Sequence, residues 1–171
     1  MISQVLLRLI DETIVPAILL ITTKILGMWF VTILFRIDWQ FSLSATASGI
    51  EFSSHEGLLM VNSYSNLLVV IVLTFNILWL LVKAYHFHET HISPSFTLKL
   101  LSLNLTRLIS TSVEVYHKAL IWLSYLWLVV FLSILHSAMG VSYGWVVAVS
   151  FGVALFMTWL FINDLERELT I

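Results

Sequence analysis

Two features of this chain have the residue types and spacing to do chemistry. The first is Lys24, which stands ten residues into the apolar stretch 14–35. A charged side chain at such a depth costs roughly 2.5–3.5 kcal/mol on insertion scales and normally faces protein or water. No Asp or Glu lies in the four long apolar stretches, 14–35, 66–84, 119–136 and 144–162. The acceptors at that depth are therefore hydroxyls and amides, such as Asn76, Thr74 and Ser133. Three arrangements follow: Lys24 snorkels or is neutral, a partner chain supplies the acid, or Lys24 is a binding or gating charge on a water-filled path. Gly27 and Ala17 lie on the same side of a helix as Lys24, and small residues there favour close helix packing.

The second feature is the run His86-Phe87-His88-Glu89-Thr90-His91, with Glu114 and His117 further on. On a helix, His88 and His91 share a face, and so do Glu114 and His117. Facing Glu-x-x-His pairs on neighbouring helices are how helical carboxylate sites hold Zn, Mn or Fe. His86, His88, His91, Glu114 and His117 are thus the candidate metal ligands. The competing reading is that these groups solvate helix ends beside the headgroups or form a pH-sensitive surface patch. No cofactor is expected on that reading, and a divalent metal is the alternative. His136 has no histidine at matching depth in another span, which argues against a haem held across the membrane. With no cysteine in the chain, thiolate sites and disulfides are excluded.

These residues need elements to position them, and composition names the kind. Hydrophobic residues make up 60% of the chain and charged ones 11%, against about 25% charged in a soluble domain. A soluble fold of 171 residues could not hide so much apolar surface. Each of the four stretches approaches the roughly 20 apolar residues a crossing needs. The expected fold is one all-α membrane domain over residues 1–171, a four-transmembrane-helix bundle. The last two spans are so close in sequence that they form an antiparallel hairpin.

Arg8, Lys83, Lys99, Arg107, Lys118 and Arg167 fall on one side of such a bundle and only Arg36 on the other. The positive-inside rule then puts both termini and the 85–118 connection in the cytoplasm. For a prokaryotic chain, the membrane would be the inner one. Arg8, Asp11 and Glu12 before the first span, with no close cleavage site, do not resemble a cleaved signal peptide. Ile2, Val5, Leu6, Leu9 and Ile10 recur at helical spacing, so an amphipathic helix lies on the surface or runs into span one. Ser93-Pro94 signals a helix start, so helical extensions project from spans two and three. In the outer loop 36–65, Trp39, Phe41 and Leu43 alternate with polar residues. The run 54–57 reads as a turn, so a small extracytoplasmic β-hairpin is expected.

Gly144, Ala148 and Gly152 recur every four residues, a stripe that serves either the hairpin with span three or an intermolecular contact. A net charge of −2 with scattered basic residues points to no nucleic-acid partner. Beyond the bilayer, the expected partners are other membrane subunits or a second copy. Three functions compete. The leading one is an accessory or structural subunit packed against other membrane chains through Lys24, Asn76, Gly144, Ala148 and Gly152. The second is a small oligomeric channel or transporter with Lys24, Asn76 and Thr74 along its path. The third is a metal-dependent membrane enzyme. No catalytic residue is assigned, and an enzyme is the less favoured class.

Overall fold

The computed structural model describes residues 2–43, 48–87, 101–102 and 112–169. It is mostly helical. In chain order the elements are α1 (Ile2–Leu34), β1 (Trp39–Leu43), β2 (Ser48–Phe52), α2 (His55–Phe87), α3 (Ser112–Ala138) and α4 (Gly144–Leu169). Within them, Glu12–Leu34, His55–Lys83, Val115–Ala138 and Gly144–Arg167 are each long and apolar enough to cross a membrane. The N-terminal stripe is not a separate surface helix, because α1 runs unbroken from Ile2 through Pro16 into the first span.

Span two differs most from its sequence-based bounds. It begins at His55, eleven residues earlier than the apolar run at Asn66. The run 54–57 is a helix start rather than a turn. Ser54 is the cap, and its Oγ accepts the Gly57 N–H at 3.0 Å, satisfying one of the orphan donors of the first turn. Glu56 in that turn suits the positive end of the helix dipole. The polar residues at positions 62, 63, 65 and 66 made this segment look like loop, but they are the inner face of two helical turns.

The strands pair antiparallel with Trp39 opposite Phe52 and Leu43 opposite Ser48. They sit at the end of the bundle where α1 gives way to α2, here termed the strand end. The opposite, terminal end holds the starts of α1 and α3 and the end of α4. Tyr125 donates to the Thr13 carbonyl there at 3.1 Å, and Tyr116 donates to an Asp164 carboxylate oxygen at 3.1 Å. Both α1 and α3 close at the strand end with the same left-handed cap. Ile37 N–H bonds back to Thr32 around Arg36, and Val141 N–H to His136 around Gly140; φ is 51° at Arg36 and 72° at Gly140.

The buried cluster comes from three helices: Val69, Val70, Leu73 and Ile77 of α2, Ala119 to Val130 of α3, and Ala154, Met157 and Phe161 of α4. α1 supplies only Leu20 to its edge. Ile25, Trp29, Phe75 and Trp79 lie 60–70% exposed on the outside. Water would not tolerate that surface on a folded monomer, whereas lipid solvates it. α1 therefore stands at the margin of a three-helix core, with Val31 and Pro16 as its buried apolar side chains, and polar bonds add to what holds it.

Candidate functional site

The polar groups of the strand-end half converge on Lys24. Lys24 Nζ donates to Asn62 Oδ1 at 2.7 Å, Ser65 Oγ at 2.8 Å and Asn66 Oδ1 at 2.5 Å, with the Asn62 carbonyl at 3.3 Å. An ammonium has three N–H donors and no acceptor, so it is saturated. Asn62 and Asn66 are four residues apart and Ser65 lies between them, which puts all three on one face of α2. The acceptors face Lys24 because Gly27, one turn on, lets the helices close up. A β-carbon at Gly27 would stand 3.3 Å from both Ser65 Cα and Cβ.

Each acceptor is aimed by a second bond. Asn62 Nδ2 donates to the Val141 carbonyl at 3.0 Å. Asn66 Nδ2 lies 3.4 Å from His136 Nδ1. Ser65 Oγ donates its proton to the Asn62 carbonyl at 3.1 Å. Each side-chain oxygen thus turns a lone pair toward Nζ. Just above, Tyr143 N–H donates to Ser63 Oγ at 2.8 Å, and that hydroxyl lies 3.1 Å from Ser142 Oγ. The cluster ties α1, α2, the end of α3 and the 139–143 turn together.

The sequence pointed to Lys24 but not to its partners. Asn62 and Ser65 fell in the presumed loop, and Asn66 marked its edge. The available signal was the Asn62/Asn66 spacing within a segment flanked on both sides by apolar residues. Asn76 lies lower on α2 and donates to its own helix at Val72. The hydroxyls of Thr74, Ser133 and Ser150 are buried and make no hydrogen bond among the described residues. None of the three groups first considered as company for Lys24 touches it.

Of the five histidine-cluster candidates, only the His117 side chain falls among the described residues. His88 and His91 lie outside them, as do the side chains of His86 and Glu114. His117 is exposed and pairs with Glu12 across α1 and α3 at 3.5 Å. Among the described residues there is no group of three His, Asp or Glu side chains able to hold a metal ion.

A second surface runs along the seam between α2 and α4. Two grooves, of about 400 and 410 Å3, meet at Leu78. One is apolar, lined by residues such as Leu67, Ile71, Val149 and Val153. The other continues past Val82 and Trp159 to Asn163, Asp164 and Arg167. From Leu67 to Val82 the furrow runs ~22 Å at the helical rise per residue. Gly144, Ala148 and Gly152 are exposed on α4. A β-carbon at Gly152 would meet nothing within 4 Å, and one at Gly144 only Ser137 Oγ at 3.8 Å. The stripe therefore does little for the hairpin with α3, and Gly152 lies open on the outer face of α4.

No family model, no curated protein and no solved structure matches the chain.

Proposed function

We propose that the chain is an integral membrane subunit that packs laterally against other membrane helices, through the α2–α4 seam. Its terminal end, which carries Lys83, Lys118 and Arg167 among the described side chains, is assigned to the cytoplasm on the charge bias of the sequence. The observation that carries the reading is the furrow, together with the open small-residue stripe on the outer face of α4. The furrow runs ~22 Å, longer than one leaflet's share of a hydrocarbon core about 30 Å thick. A crossing helix fills such a furrow better than an acyl chain confined to one leaflet. In lipid, helices associate through close packing at small residues rather than through expulsion of water, and Ala148 and Gly152 offer that contact while the chain's own core does not use them. Lys24 offers a partner chain no unmatched donor, since its acceptors lie within the chain. A conducting path draws no support from an ammonium whose donors are all engaged.

The test is Gly152→Leu, made in the full chain and purified in mild detergent. The side chain projects into open space, so the variant folds with unchanged thermal stability. It should lose the co-purifying chain, or the self-association, that the wild type retains. Retention of the same assembly by Gly152→Leu and by Ala148→Leu would sink the proposal.

A further inference from the structure

We infer that the oxygen cluster on α2 is a monovalent-cation site, and that the Lys24 ammonium is its resident, tethered cation. Four oxygens surround Nζ within 3.3 Å: Asn62 Oδ1, the Asn62 carbonyl, Ser65 Oγ and Asn66 Oδ1. All are neutral. Divalent ions of the Ca2+ and Mg2+ type draw on carboxylates in their protein sites, so a cage of amides, a hydroxyl and a carbonyl fits a single positive charge. Carbonyl-type dipoles replacing a hydration shell are how alkali cations are held inside membranes.

The orientation of the cage does not depend on the lysine. Asn62 is held by Val141, Asn66 by His136 and Ser65 by the Asn62 carbonyl. Each of these bonds spends the donor and leaves the oxygen lone pair pointing inward. Removing the charge therefore leaves several lone pairs facing one another in a water-poor site, an arrangement that a free cation of similar size relieves. Electrostatic groups that are fixed beforehand hold a charge with little reorganisation, and the fixing bonds here run to α3, to the 139–143 turn and within α2 rather than to α1.

The experiment is cation rescue. Lys24→Met keeps the aliphatic stem, removes Nζ and leaves an ion-sized gap. Thermal unfolding of the full chain in detergent is followed in ammonium, sodium, potassium and choline chlorides at matched ionic strength. In choline, Lys24→Met should melt below the wild type. Ammonium, and to a lesser degree potassium or sodium, should restore several degrees along a saturating curve, as mass action at a single site requires. The wild type should not distinguish among the four salts. Adding Asn66→Leu to Lys24→Met should abolish the rescue.

Equal melting of Lys24→Met in all four salts would overturn the inference. So would a cation response of the same size in the wild type or in the Asn66→Leu double variant. If Lys24→Met cannot be recovered from choline, preparation in ammonium decides the matter: folded protein supports the site, and none refutes it. The measurement reads stability alone, so its outcome is independent of whether the α2–α4 seam binds a partner.

Discussion

Gly27 of α1 backs onto Ser65 of α2 so closely that a β-carbon at position 27 would stand 3.3 Å from the Ser65 Cα. This contact and the Lys24 bonds one turn away help to seat α1, which reaches the buried cluster only through Leu20 at its margin. Gly27→Val should therefore lever α1 off α2. Overpacking of a close contact costs typically about 1–3 kcal/mol, and here it should also lengthen the Lys24 bonds. Gly27→Ala should be milder, as the neighbours need give only a few tenths of an ångström. Thermal unfolding in one detergent, with Gly27→Val no less stable than Gly27→Ala, would show that the close approach does not matter.

Lys24 and Asn66 should be strongly coupled. A hydrogen bond to a charged group contributes about 1.5–3 kcal/mol, and an unmet buried partner costs more than a replaced pair. Asn66→Leu takes from Nζ its shortest hydrogen bond and leaves the third donor only the Asn62 carbonyl at 3.3 Å, and it leaves Asn66's fixing partner His136 without its amide. Lys24→Leu leaves four oxygens facing an apolar stem. The double variant removes part of each penalty, so its destabilisation should fall short of the two single losses combined. A double-mutant cycle reads this directly, and an additive result would mean that the two residues do not interact.

The two left-handed caps predict changes of opposite sign. Glycine tolerates that backbone conformation, whereas a side chain there costs roughly 1–2 kcal/mol. Gly140→Ala should destabilise the α3–α4 turn even though the added carbon meets nothing within 4 Å. Arg36→Gly should relieve the same penalty at the end of α1. A melting temperature that rises for Gly140→Ala would contradict the assignment.

Ser54→Ala should shorten α2 from its strand end. Loss of a Ser cap costs typically about 1 kcal/mol. Because the next two turns carry Asn62 and Ser65, amide exchange across residues 55–66 should quicken in the variant while exchange at 69–80 stays unchanged. Uniform exchange behaviour would separate the cap from the Lys24 cluster.

Sidedness is open to single-cysteine labelling, because the chain has no cysteine of its own. An impermeant maleimide added to intact cells should reach Ser53→Cys at the strand end and spare Glu166→Cys at the terminal end. The converse pattern would invert the proposed orientation.

The four helices long and apolar enough to cross a membrane, and the lysine within the first of them, were legible in the sequence, because they depend on how many apolar residues follow one another and on the spacing of 3.6 per turn. No knowledge of neighbours is required for that. The true start of α2 was not, since Asn62, Ser63, Ser65 and Asn66 carry the composition of a loop and acquire a helical role only when Lys24 arrives from α1. Which way the Gly144, Ala148 and Gly152 stripe faces was equally undetermined: a four-residue repeat fixes a face of α4 but not what stands opposite. Only the packing of α4 on α2 and α3 turns that face outward, because side-chain direction around a helix is local whereas burial is a property of the assembled bundle.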